Sequence, residues 1–390
     1  MAVKTNCTIN GKDYYRITMD IGIDSNGKRI RKQFLGKNKK EAEQKKLDFI
    51  KKRDLGISNK TYYLGETMNI WLYEVVKVGQ IKPTSFSRYA GIFNKYFKDS
   101  AIAHLDLTKI TPLVIQRYYN DLYRQGKSSN VIKTANKLLK QFFNYCIDNN
   151  YIIKNPCDGK KIVIPKDHKQ ETISQTQIFQ KEEMKSILEN DEDTKIRYIA
   201  LISYATGMRR GEILGLSEND IDYSNNVIHI RRSVSTTYIY DNTEQKHKET
   251  YISDTKTYTS NRDIPLPKSL IPVIKKAISL KKRDMAKAGP SYNKEFKNLL
   301  FLTEEGNLIE ASNIDKSWVY FLKRCKVAHK KFHALRHTYA TLQFENDRPL
   351  LTVSKLLGHS SIDVTANTYV HILKKEKEKA IDTLELLSRV

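Results

Sequence analysis

No apolar run in the sequence approaches the roughly 20 residues that a membrane-spanning helix needs. The opening stretch, MAVKTNCTINGKDYY, lacks the apolar core of a secretory signal, so a cytoplasmic protein without a membrane partner is expected. The four cysteines (Cys7, Cys146, Cys157 and Cys325) lie far apart with no CxxC spacing. That excludes a disulfide framework or a cysteine zinc site and leaves reduced thiols. There is no GxxxxGK[ST] phosphate loop and no Asp/Glu cluster suited to two Mg²⁺ ions, so neither ATP nor a metal cofactor is expected.

Acidic residues are also short. Asp and Glu number 44 against 68 Lys and Arg, a formal charge of +24 over 390 residues. A field of that sign concentrates polyanions and speeds encounter with them. Nucleic acid is the best-fitting partner; an anionic membrane surface or a solvated basic face are the alternatives. The length suits two or three domains, and the apolar fraction of 39% is enough for real cores.

Three segments follow one another. Residues 1–60 carry 16 Lys/Arg and 7 Asp/Glu. Tyr15, Ile17, Met19 and Ile21 alternate with polar neighbours including Arg16, which predicts a strand, and Asn26-Gly27 predicts a hairpin turn. The return strand puts Arg29, Arg31 and Gln33 on one face, and Asn38 with Glu41 predicts a capping box for a helix. A small sheet with an arginine-rich face suits a DNA groove, although such a face can also be merely solvated.

Residues 61–160 read as an all-α domain. Leu64, Met68, Trp71, Leu72 and Val75 recur at helical spacing; Thr84 is the expected cap of a second helix running through Phe97. Thr111-Pro112 opens a third helix, and Ser128 or Ser129 a fourth. The fourth has an apolar stripe of Ile132, Ala135, Leu139, Phe142 and Cys146, with Lys133, Lys137 and Lys140 on another side as candidate phosphate contacts. Asn155-Pro156 ends it, and residues 151–175 read as a basic linker.

Residues 174–390 form the largest domain, mixed but mostly helical, with helices at 180–190 and 194–207. Strands are expected between 226 and 264, broken by a polar insertion near 241–250, and helices again from Pro267 onward.

Four short motifs in this segment carry chemistry. The first runs from Thr206 to Leu214 (TGMRRGEIL) and holds Arg209 and Glu212 at helical i,i+3 spacing, so the carboxylate can fix the guanidinium. The second is His333-Ala334-Leu335-Arg336-His337. Its two histidines have the i,i+4 spacing of a zinc-protease helix, but Ala334 stands where that chemistry needs a glutamate base. The third and fourth are Leu356-Leu357-Gly358-His359 and Tyr369-Val370-His371, with Tyr369 ten residues after His359.

In combination these boxes resemble the tyrosine recombinase (phage integrase) family. Its pattern is T-G-[LM]-R-x-x-E, then H-x-L-R-H, then L-G-H followed ten residues later by a nucleophilic tyrosine. Thr255-Lys256-Thr257 with Arg262-Asp263-Ile264-Pro265-Leu266 resembles the family's β-hairpin lysine motif. Residues 61–155 resemble its core-binding domain, and residues 1–60 the arm-binding domain of integrases from conjugative transposons and some phages.

The resemblance implies Arg209, Lys256, His333, Arg336, His359 and Tyr369 as catalytic residues with Glu212 in support. It also implies a 3′-phosphotyrosyl intermediate and integration and excision of a mobile element without metal or ATP. The partners implied are duplex DNA with core-type and arm-type sites, a homotetramer on that DNA, and in some systems an excision factor and a DNA-bending protein. A prophage integrase and a type IB topoisomerase-like enzyme are the alternatives. Ile381, Leu384, Leu386 and Leu387 mark a tail expected to dock on a neighbouring subunit.

Overall fold

The computed structural model describes residues 5–23, 28–54, 61–79, 81–159, 161–167, 178–242, 245–254, 261–359 and 361–369. The chain divides into two compact units, one of residues 1–168 with Asn242–Gln245, the other of residues 169–241 and 246–390. Lys256, the Asn26-Gly27 turn and the tail from 371 lie outside the described residues.

The first unit begins with an antiparallel sheet in the order β1 (Cys7–Ile9), β2 (Lys12–Ile23), β3 (Arg29–Gly36), followed by α1 (Lys39–Asp54). The alternation of apolar and polar residues in β2 is explained by α1. Ile17 pairs with Phe34 and Met19 with Lys32 on the face that meets the helix, where Phe34 and Phe49 rings pack 5.3 Å apart. Asn38 accepts from the Glu41 amide at 2.9 Å as a cap should. The Glu41 carboxylate, however, accepts from the Lys37 amide at 2.8 Å, one residue before the cap, so the box is shifted.

The helical part of this unit holds α2 (Leu64–Ile70), α3 (Pro83–Ile92), α4 (Pro112–Arg124) and α5 (Ser129–Asp148). α2 and α3 both end in wide turns, the amides of Lys77 and Lys98 bonding five residues back to Leu72 and Phe93 at 2.9 Å. Thr84 is not a cap: α3 starts at Pro83 with Lys82 at the N-cap, because proline at the first position needs no amide partner. Thr111 caps α4 and Ser128 caps α5, and the whole expected stripe of α5 is buried in one apolar core with Trp71, Phe93, Phe97 and Tyr119. Asn155 closes the helix by donating to the Lys140 carbonyl at 3.0 Å and accepting from the Cys157 amide at 2.8 Å.

The second unit opens with α6 (Lys181–Glu189), α7 (Lys195–Thr206) and the short α8 (Arg210–Leu214). An antiparallel sheet joins β4 (Ile221–Asp222), β5 (Val227–Ile230) and β8 (Arg262–Pro265), while β6 (Arg232–Tyr240) and β7 (Lys246–Asp254) form a separate two-stranded ribbon. The expected polar insertion is therefore half strand. Residues from Lys246 pair back on β6 in full register, and Thr236 and Thr250 hydroxyls bond across it at 3.0 Å. Cross-strand pairing of this kind stabilises a polar strand that has no apolar alternation of its own.

Among the described residues, five helices complete the unit: α9 (Ile271–Ala288), α10 (Ala311–Arg324), α11 (Ala334–Glu345), α12 (Leu350–Leu357) and α13 (Ile362–Thr368). α7 is buried on nearly every side and packs against α9, α10 and α11. A smaller apolar cluster of Tyr339, Ala340, Phe344, Val353, Leu357 and Tyr369 ties α11, α12 and the end of α13 together. Among the described residues no helix is long and apolar enough to cross a membrane.

Candidate active site

Two helix ends build the site. α7 stops at Gly207 (φ +66°) and α12 at Gly358 (φ +66°), both in the left-handed conformation that glycine adopts without strain. A Cβ at Gly207 would stand 2.4 Å from the Tyr339 ring, and one at Gly358 2.8 Å from the Arg262 guanidinium. A side chain at Gly207 is thus opposed by space as well as by backbone, and one at Gly358 would also have to displace the Arg262 guanidinium.

A helix end leaves carbonyls without partners and carries partial negative charge. Here arginines fill both roles. Three consecutive carbonyls at the end of α12 are each taken by a different guanidinium: Leu356 by Arg262 at 2.8 Å, Leu357 by Arg336 at 2.7 Å and Gly358 by Arg209 at 2.9 Å. Arg336 also donates to the Gly207 carbonyl of α7 at 2.7 Å. It is only 2% exposed, and burial together with the charge of Arg209 brings its pKa down to about 9, which keeps it cationic at neutral pH.

Glu212 sits between two of these arginines. Arg209 is the N-cap of α8 rather than part of it, and donates to the Glu212 carboxylate through its backbone amide at 2.9 Å and its guanidinium at 2.8 Å. Arg262 donates two further bonds to the same carboxylate, at 3.0 and 2.8 Å. Burial alone would raise the Glu212 carboxyl; the hydrogen bonds and charge of Arg262, with Arg209, outweigh it and bring the pKa down to about 2. The i,i+3 pair expected from sequence is present, but as one arm of an Arg–Glu–Arg bridge.

The histidines stand around the arginines. His333 is the N-cap of α11, and its ring meets that of His337 edge to face at 4.9 Å. His333 reaches solvent, yet protein crowds its ring, and this desolvation, with His337, Arg336 and Arg209, holds its pKa well below the ordinary range. His359 Nδ1 lies 2.7 Å from the buried Thr365 hydroxyl, and burial beside Arg336 and Arg209 lowers it to about 4. All three imidazoles in the site are neutral at pH 7, because His337 too is lowered to about 4 by burial and Arg336.

Tyr369 ends α13. It is 1% exposed, packed on Phe344 at 5.3 Å, and its hydroxyl lies 3.0 Å from His337 Nδ1. Burial pushes its pKa above the ordinary phenol value and outweighs the opposing charge of Arg336, so the arginines alone do not produce a phenolate here. The imidazole that meets the Tyr369 hydroxyl is that of His337.

The structure therefore brings together Arg209, Glu212, His333, Arg336, His359 and Tyr369. Sequence reasoning missed three members: Arg262, His337 and Thr365. Arg262 and His337 stand inside the motifs already singled out, but neither spacing nor residue type shows which partner each one meets.

The seven candidate DNA contacts all belong to the first unit. Arg16, Arg29, Arg31 and Gln33 are exposed on the sheet face opposite α1, with Arg29 and Arg31 both near Asp20, at 3.5 and 3.1 Å. Lys133, Lys137 and Lys140 are exposed along α5, and Lys140 is paired with Asp158 at 2.9 Å, which makes it a weaker candidate than the other two.

Comparison with known proteins extends these observations. Residues 177–376 match the phage integrase family, and residues 63–123 match the phage integrase N-terminal SAM-like domain. A relative described as "Tyrosine recombinase XerC-like", from Caldanaerobacter subterraneus subsp. tengcongensis, is 44% identical over 387 residues, covering 98% of this chain and 99% of its own. The integrase of Staphylococcus phage L54a is 28% identical over 344 residues, 84% of this chain and 94% of its own. Among solved structures, the Tn1549 transposon integrase in complex with transposon right end DNA superposes with a TM-score of 0.64 at 20% identity, over 80% of this chain and 98% of its own.

Proposed function

The chain belongs to the phage integrase family and is a tyrosine recombinase, a site-specific DNA recombination enzyme; on that premise we propose which residues do the work and on what DNA. Tyr369 is the nucleophile. Its oxygen attacks the scissile phosphorus, forms a 3′-phosphotyrosyl bond and releases a 5′-hydroxyl. Arg209 and Arg336 bind the non-bridging oxygens, where charge gathers in the transition state, and His359 donates a hydrogen bond to the same phosphate. Preorganised charge of this kind is usually the largest catalytic contribution. Lys256 protonates the leaving 5′ oxygen. The phosphotyrosyl bond keeps the energy of the broken ester, so religation needs no ATP.

The observation that carries this reading is the row of three arginines on the Leu356, Leu357 and Gly358 carbonyls, a dozen residues before Tyr369. Guanidiniums held by helix ends and Glu212 cannot swing to follow a ligand, so the phosphate must come to them. Because Tyr369 is buried, attack requires its hydroxyl to become accessible to the phosphate as DNA binds.

Domain roles follow the same reading: residues 1–60 bind arm-type sites, 61–160 core-type sites, and 174–390 carry out the chemistry. Strand exchange between two duplexes requires four subunits. The element moved is a conjugative transposon, as the N-terminal sheet suggests. A prophage is the second reading, favoured by the phage L54a relative. Excision factors and a DNA-bending protein are the accessory partners.

A nicked suicide substrate tests the chemistry. A covalent protein–DNA adduct is expected with and without EDTA, and none with Tyr369→Phe. An adduct that persists in that variant identifies a different nucleophile, and no adduct at all removes the enzymatic reading. Mapping the ends of the adduct on candidate circles distinguishes the two element types.

A further inference from the structure

The neutral imidazole nearest the nucleophile is not one of the residues assigned above. His337 follows Arg336 on α11, and its Nδ1 lies 3.0 Å from the Tyr369 hydroxyl, with the two rings at 61° and 6.0 Å between centroids. Among the described residues this imidazole is the hydrogen-bond partner of that hydroxyl. We propose that His337 is the proton acceptor that turns Tyr369 into a nucleophile, and the proton donor that releases it when the strands are rejoined. The inference rests on Tyr369 being the nucleophile.

A phenol is a good donor and a poor acceptor, so the shared proton belongs to the tyrosine and Nδ1 offers its lone pair, with the ring proton on Nε2. The groups facing the ring are His333 on its edge, Arg336 on the same helix, His359 and Tyr369 itself. Burial and the Arg336 charge keep the imidazole unprotonated at working pH, as a base must be. Burial raises the phenol, so without a local base Tyr369 would be almost wholly protonated.

The step balances. The Tyr369 O–H bond breaks and its proton passes to His337 Nδ1. The freed electron pair of the oxygen forms the O–P bond, the bond from phosphorus to the 5′ oxygen breaks, and that oxygen is protonated by the acid of the site. In religation the 5′-hydroxyl attacks, the Tyr369–phosphorus bond breaks, and the proton on His337 returns to the phenolic oxygen. No oxidant, metal or co-substrate is needed.

The test is single-turnover adduct formation at saturating nicked DNA between pH 6 and 9. DNA affinity is followed by gel shift and folding by circular dichroism. His337→Asn keeps an oxygen able to accept the hydrogen bond near the Nδ1 position but cannot take a proton. Its rate should fall about 10²–10⁴-fold, with affinity unchanged, and should rise about tenfold per pH unit where the unaltered protein is flat. Replacing Tyr369 by 3,5-difluorotyrosine, a more acidic phenol, should restore much of the lost rate in the His337→Asn background and little in the parent. A rate within a few-fold of the parent, or no recovery with the fluorinated tyrosine, overturns the proposal.

If His337→Asn does not fold, the unaltered protein decides on a substrate with a bridging 5′ sulfur, whose leaving group needs no proton. A solvent isotope effect of about two is then expected from the tyrosine proton, and its absence rejects a proton acceptor. Loss of adduct in Tyr369→Phe beside normal rates in His337→Asn defeats only this inference. An adduct in Tyr369→Phe defeats the reading beneath it.

Discussion

Two sets of arginines in this chain stand in opposite surroundings. Arg209, Arg262 and Arg336 sit on the carbonyl end of α12, with Glu212 bridging the first two, and Arg336 is almost fully enclosed. Arg16, Arg29 and Arg31 stand exposed on the N-terminal sheet, the latter two loosely shared with Asp20. A buried cation is costly unless its hydrogen bonds are met, so the first set is rigid and its charge is fully felt. The second set is hydrated and exposed to salt, which suits salt-dependent attraction of a polyanion and readjustment on a groove. In the proposed reading the same residue type serves chemistry in one place and affinity in the other.

The comparison breaks most sharply at Arg336. Arg336→Ala should slow adduct formation by about 10²–10³-fold or more at saturating DNA, and Arg336→Lys should recover only part, lacking the planar fork. A change confined to DNA affinity would mean that the enclosed arginines behave like the exposed ones.

Glu212→Gln comes next. It removes the carboxylate shared by Arg209 and Arg262, and urea unfolding at pH 7 should show a drop of about 3 kcal/mol. The folded-state pKa of Glu212 is about 2, below its unfolded value, so its contribution is present above about pH 4–5 and is lost as pH falls towards 2. The gap between parent and variant should therefore narrow from pH 5 to pH 3; a constant gap would show that charge is not the cause.

Arg29→Ala with Arg31→Ala should leave adduct formation on a core site unchanged. It should reduce the salt dependence of arm-site binding by about one log–log unit for each phosphate that these arginines neutralise. An unchanged slope would leave that face merely solvated.

The smallest effect belongs to Lys140. Its exposed pair with Asp158 is worth about 0–1 kcal/mol, and Lys140→Ala should weaken core-site binding less than Lys133→Ala. The reverse order would show that DNA displaces Asp158.

How much of this was legible beforehand follows from how far apart the interacting residues stand. The caps at Thr111 and Ser128, the stripe of α5 and the Arg209–Glu212 pair all join residues within about four positions of one another, where helix geometry dictates who meets whom. Thr84 misled because a proline one residue earlier competed for the helix start, and β7 was hidden because its stability comes from β6 rather than from its own pattern.

The sequence by itself determined most helical caps and apolar faces, the basic character of the chain and, through four short boxes, six of the residues gathered at the site: Arg209, Glu212, His333, Arg336, His359 and Tyr369. Only the tertiary structure decided their partners. Arg336 meets a carbonyl 129 residues away, Arg262 a carboxylate 50 away, and Tyr369 an imidazole 32 away. Local rules reach one helical turn. Beyond that, a buried polar group takes whichever partner the packing of α7, α11, α12 and α13 brings within about 3 Å, and no spacing along the chain records that choice.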